Sequence, residues 1–164
     1  MSRTRLLTTM AVFVALGTLS AQVIWFPAGI AKAYPVQHAI NVMAAITLGP
    51  IHAVTIAFTI GLLRNLLGLG TLLAFPGGMA GALLAGFFYK WIRRKGAAPV
   101  GEVIGSGLIG ALFAVPFAQV LMGSAAGAFA FVPSFLISSV SGSLFGWFVA
   151  SRVLKSRLIP QLLH

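Results

Sequence analysis

Three groups of polar side chains could do chemistry here, and each is embedded in apolar sequence. His38 and Asn41 stand three apart, so on a helix they share one face. An imidazole and an amide both donate and accept, which suits a small heterocycle with a ring nitrogen and a hydroxyl. The same pair could equally cap a helix or bond between helices. Arg64 and Asn65 interrupt the run IHAVTIAFTIGLLRNLLGLGTLLAFPGG. A charge at membrane depth costs roughly 2.5–3.5 kcal/mol on insertion scales unless it is paired, snorkels or meets water. Gly68, Gly70, Pro76, Gly77 and Gly78 follow at once. Polar side chains beside broken backbone are a common way to build a pocket at that depth. Arg64 would hold a phosphate or another anionic group, brace a loop through backbone carbonyls, or snorkel outward. Gly70 and Thr71 could bring backbone N–H groups close to a ligand. Gln119 is a further polar candidate. Phe75, Trp25 and Tyr34 could stack on an aromatic ring, with core packing or interface anchoring as their ordinary roles.

The missing chemistry narrows the function classes. The only acidic side chain is Glu102. A secondary transporter usually carries intramembrane carboxylates for protons or sodium. Glu102 lies close in sequence to a basic cluster at 90–95, which predicts an interfacial ion pair. None of the lysines sits in a Walker A pattern, so the chain does not hydrolyse ATP by that route. His-Glu-x-x-His and Gly-x-Ser-x-Gly are both lacking. His38 and His52 are the only histidines within the apolar segments and have no carboxylate partner for a metal. There are no cysteines, so there is no disulfide or thiolate site. The expectation is a non-enzyme with no catalytic residue, no metal site and no cofactor.

These groups must be positioned by apolar helices. The 164 residues are 59% hydrophobic and 7% charged, with mean hydropathy +1.04. Soluble domains carry about 25% charged residues. The chain reads as an all-α integral membrane protein, a compact bundle of six transmembrane helices forming a single domain over 1–164. The helices are expected at about 6–24, 38–48, 51–67, 77–92, 100–121 and 132–154. Between them lie a loop or re-entrant segment at 25–37, a glycine-rich loop at 68–76 and a small-residue loop at 123–131. The second helix spans only about 16 Å and needs shielding by neighbours. The predicted product is a bundle with a pocket closed by the first and third loops.

Net charge is +10, but the cations do not form a nucleic-acid face. They cluster at Arg3 and Arg5, at Lys90, Arg93, Arg94 and Lys95, and at Arg152, Lys155 and Arg157. The positive-inside rule then puts both termini in the cytoplasm, with Lys32 alone among the loop cations outside. That arrangement needs an even number of spans. It places Trp25 and Tyr34 at the outer interface and Tyr89 and Trp91 at the inner one, as aromatic belts. Arg64 falls in the outer half of the membrane, about 20 Å along its helix. Water or ligand can reach it there, which weakens its case as a buried charge and favours Asn65 and the glycine loop for direct contact. The N-terminal segment resembles a cleavable signal peptide, but its apolar run continues through Phe26 and is long enough to span. Ala11 and Ala15 form a small-xxx-small pair on the first helix. Gly81 with Ala85, and Gly142 with Gly146, repeat that spacing and are expected to pack internally.

The chain resembles the substrate-binding S components of energy-coupling-factor (ECF) vitamin transporters. The six-helix pattern, cytoplasmic ends and Ala11-xxx-Ala15 carry the general likeness. His38-Ala39-Ile40-Asn41-Val42, Leu48-Gly49-Pro50 and the stretch from Arg64 to Gly78 are similar to the ThiW family. That resemblance implies uptake of the thiazole moiety of thiamin, hydroxyethylthiazole or a similar small heterocyclic vitamin precursor, through a pocket open to the outside. It implies a multi-pass cell-membrane protein whose partners are a transmembrane coupling subunit and two ATPase subunits, with Ala11 and Ala15 facing the coupling subunit. Another vitamin, such as thiamin or a pyrimidine, and a structural membrane role stand as alternatives.

Overall fold

The computed structural model describes residues 1–28, 31–123 and 128–153. Among them are six helices and one short hairpin. The helices are α1 (Arg3–Val23), α2 (Pro35–Leu48), α3 (Pro50–Leu66), α4 (Ala74–Ile92), α5 and α6 (Ala128–Val153). Helix α5 runs without interruption through Ala97–Glu102, a π-helical stretch Val103–Gly110, and Ala111–Met122. Strands β1 (Phe26–Ala28) and β2 (Ala31–Ala33) pair antiparallel, with Pro27 opposite Lys32. The expected 25–37 loop thus contains a hairpin, and α2 begins at Pro35, where a proline at N1 is preorganised for a helix. Helix α4 also begins earlier than expected, at Ala74. The end of the sixth helix at 154, the cations Lys155 and Arg157, and part of the 123–131 loop lie outside the described residues.

The connections are tight enough that successive helices must reverse. Gly49 alone joins α2 to α3, with φ 86°, a conformation open mainly to glycine. Arg3, Arg5, Lys90, the 93–95 cations and Arg152 consequently gather at one end of the bundle, and the hairpin at the other. Helices α1, α5 (over Ala97–Leu121) and α6 (over Ala130–Val153) are long and apolar enough to cross a membrane; α3 is a shorter apolar helix. Large apolar side chains such as Leu16, Phe87, Leu112, Phe113, Phe145 and Phe148 point outward around the bundle. A water-soluble surface does not carry so much contiguous apolar area, whereas lipid accepts it.

Close backbone approach holds the interior together. A Cβ at Gly101 would fall 2.4 Å from Leu84 O, one at Gly105 2.4 Å from Ala80 O, and one at Gly110 2.3 Å from Gly77 Cα. These three glycines lay α5 antiparallel against α4. Residues 101 and 110 would face opposite sides of a regular helix, about 180° apart at 3.6 residues per turn. The π-helical stretch, with its i→i+5 bonding, widens the turn and returns Gly110 to the stripe. On the other flank of the bundle, Gly142 and Gly146 pack onto the backbone of Pro35 and Ala39, as their spacing predicts. Ile40, Val42, Ile56 and Ile60 fill the centre, with small alanines between them.

Candidate functional site

A cavity of about 450 Å³ opens at the hairpin end, within the range of small-molecule sites. Every wall comes from a different part of the chain. The hairpin and α2 supply Lys32, Tyr34, Gln37 and His38; the end of α3 and the following loop supply Arg64, Thr71 and Leu73; the start of α4 supplies Gly77 and Gly78. Ala118 comes from α5, and Phe131, Ser134, Phe135 and Ser138 from α6. The first and third loops therefore border the cavity, as the sequence suggests.

Hydrogen bonds tie those loops down. The backbone N–H of Tyr34 donates to Ser138 Oγ at 2.9 Å, and Ser134 Oγ donates to Ala28 O. Leu69 O accepts from Tyr34 Oη and from Arg64 Nη2, both at 3.3 Å. Arg64 Nη1 donates to Gln37 Oε1, and its guanidinium lies 3.8 Å from the centre of the Tyr34 ring. Arg64 is 1% exposed. The expectation of a weakly buried charge is thus corrected: the loop after α3 folds back over Arg64, with Leu69 N–H bonded to Arg64 O at 2.8 Å. Tyr34, expected in an outer aromatic belt, turns inward beneath Arg64 for the same reason.

A second polar centre lies just below the cavity floor. Glu102 is fully buried (0% exposed). Its Oε1 stands 2.7 Å from His38 Nδ1 and accepts from Asn41 Nδ2 at 3.0 Å and Ser106 Oγ at 2.9 Å. This overturns the reading of Glu102 as an interfacial partner of the 90–95 cations. The basic cluster is near in sequence, but α5 carries Glu102 onto its inner face against α2 and α4. Gly81 makes room, since a Cβ there would fall 2.6 Å from Glu102 Oε1. Nδ1 and Oε1 share this hydrogen bond, and Nε2 is the ring nitrogen left over. Glu102 Oε2 and Asn41 Oδ1 have no hydrogen-bond partner among the described residues.

Of the residues singled out in the sequence, Tyr34, His38, Arg64 and Thr71 line the cavity. Asn41 lies beneath it, 0% exposed, with its amide also on Gly78 O at 3.1 Å. Asn65 does not line the cavity; its amide bonds Gly61 O and Thr71 O at 2.8 and 3.2 Å and so braces the loop. Gly70 lets that loop pass close to Arg64, 3.3 Å from its Cβ. Phe75 packs against Phe58, ring centres 5.6 Å apart. Gln119 is exposed. Trp25 stands at the rim, its ring 4.0 Å from Lys32 Nζ. Ala11 and Ala15 lie on the exposed face of α1. No group of three or more metal-ligating side chains occurs among the described residues.

Lys32, Gln37, Phe131, Ser134, Phe135 and Ser138 also line the cavity and were not among the site residues expected from the sequence. Two signals were available. Gln37 sits one turn before Asn41, extending the polar face of a short helix. Ser134 and Ser138 are four apart in an apolar helix, where hydroxyls are usually bonded or face a polar space. The aromatic, hydroxyl and amide groups make the cavity suitable for a small polar heteroaromatic molecule. Neither a curated protein nor a solved structure matches the chain. A family model described as thiamine-precursor transporter protein (ThiW) does match, over residues 7–156. Nearly the whole bundle falls within that match, and this membrane protein belongs to the ThiW family of thiamine-precursor transporters.

Proposed function

We propose that the chain is the substrate-capturing S component of an ECF-type transporter, binding hydroxyethylthiazole or a similar thiamin precursor from outside the cell. The observation that carries the proposal is the cavity at the hairpin end, opposite the basic end of a bundle that belongs to a thiamine-precursor transporter family. All six helices cross the membrane in this reading, with both termini cytoplasmic by the positive-inside rule. The chain has no Walker A motif, and its single carboxylate is taken up by three neighbours. Import energy must then come from elsewhere, through a coupling subunit and two ATPases. Substrate is captured outside and released inside when the bundle tilts.

Calorimetry on the purified full chain in nanodiscs tests the reading directly. Hydroxyethylthiazole is expected to bind more tightly than thiamin, and failure of every thiazole, neutral or acid-substituted, to bind would sink the proposal. His38→Ala is expected to weaken that binding about tenfold, because it removes one polar wall group. The chain should still fold but melt lower, because Glu102 keeps only Asn41 and Ser106 among the described residues. Unchanged affinity would take His38 out of the site. Ala11 and Ala15 are proposed to meet the coupling subunit, since small residues allow helices to approach closely. Ala15→Leu should leave ligand affinity intact and reduce co-purification with that subunit severalfold. Normal co-purification would rule out this contact.

A further inference from the structure

The cavity carries positive charge that no acidic group among the described residues balances. Arg64 and Lys32 both line it. The only acidic side chain in the whole sequence is Glu102, which is not among the lining residues and is held by His38, Asn41 and Ser106. Among the described residues the partners of Arg64 are all uncharged: an amide oxygen, a backbone carbonyl and the face of Tyr34. Lys32 likewise sits over the ring of Trp25. A guanidinium has five N–H donors. One goes to Gln37 and one to Leu69, which leaves three, including Nε, which is buried and has no partner among the described residues. Helices α2 and α4 also begin at this end, with no acid in either first turn, and helix N-termini favour negative charge.

We propose that the ligand carries an anionic group, a phosphate monoester or a carboxylate, which Arg64 binds from the cavity wall and Lys32 from the rim. The inference rests on the reading of the cavity as the precursor site and narrows it to the anionic form of a thiazole rather than the neutral alcohol. A guanidinium offers an oxyanion two parallel N–H bonds, stronger than bonds between neutral groups. A buried cation already shielded from water gains most from such a partner. Tyr34, Phe131 and Phe135 are then free to hold the ring.

The test is calorimetry on the full chain in nanodiscs with four probes: hydroxyethylthiazole, its phosphate monoester, a methylthiazole carboxylate, and inorganic phosphate. At least one anionic thiazole should bind tenfold or more tightly than the alcohol, and the stronger of the two identifies the group. Inorganic phosphate should bind far more weakly than either. Arg64→Gln should abolish the preference. Because Arg64 also braces the third loop, Lys32→Gln provides a second variant at the rim and should reduce the preference severalfold. An alcohol that binds as tightly as both anions overturns this inference but leaves the transport reading standing. So does a preference that survives both substitutions, or inorganic phosphate that binds as tightly as the ester. If no thiazole binds at all, both readings fall.

Discussion

Glu102→Ala should destabilise the bundle by about 3–5 kcal/mol, the range for removing one partner of a buried pair. Among the described residues its carboxylate is the only partner of His38 Nδ1, whereas Asn41 and Ser106 each keep a backbone carbonyl, on Gly78 and Gly77. The cost therefore falls mainly on an imidazole left with no acceptor inside an apolar bundle, and on the space the side chain vacates. Glu102→Gln separates shape from charge. A glutamine amide oxygen can still accept from Nδ1, so this variant should recover more than half of the loss. Thermal melting of the purified protein in one detergent gives both values. An alanine variant melting within a degree or two of the wild type would mean that the cluster contributes little.

A comparable loss is expected from Gly142→Ala, at least about 3 kcal/mol, the upper end of overpacking costs. The added Cβ would fall 2.0 Å from Pro35 O and 2.8 Å from His38 Cβ. The near atom is backbone at the first turn of α2, which has no rotamer to change. The helix itself must move, and it carries Gln37 and His38 into the cavity wall. Ligand affinity should therefore fall together with stability. Gly96→Ala serves as the control, since its nearest neighbour would be Trp147 Nε1 at 4.0 Å, and its melting temperature should hardly change. Equal behaviour of the two variants would show that α2 and α6 are not packed as described.

Much of the architecture was legible because its causes are local. Apolar runs of membrane-spanning length, the Gly49-Pro50 break and the basic clusters each act within a few residues. They yield six helices and one basic end. The polar residues at 38, 41, 64 and 65 stood out because they are costly in an apolar run. The hairpin at 26–33 was less legible, since three-residue strands with alanine and proline carry no alternating pattern. The π-helical stretch was invisible for a different reason: it exists to align Gly110 with the backbone of α4, a partner about thirty residues away.

Glu102 shows the limit most clearly. Sequence proximity paired it with the cations at 90–95, yet its partners lie on α2 and within α5 itself. A carboxylate at an interface and one buried in a bundle have the same neighbours in sequence. Only the face that the helix presents separates them, and that is set by the glycines packing α5 onto α4. Arg64 follows the same logic, because a loop returning over it turned an exposed rim charge into a buried wall. Hydropathy and composition are sums over the chain, and they alone mark a membrane bundle with a handful of polar side chains and a single acidic one. Which of those side chains share a cavity, and that its cations lack a counter-charge among the described residues, came only from the fold, because pairing depends on contacts between helices far apart in sequence.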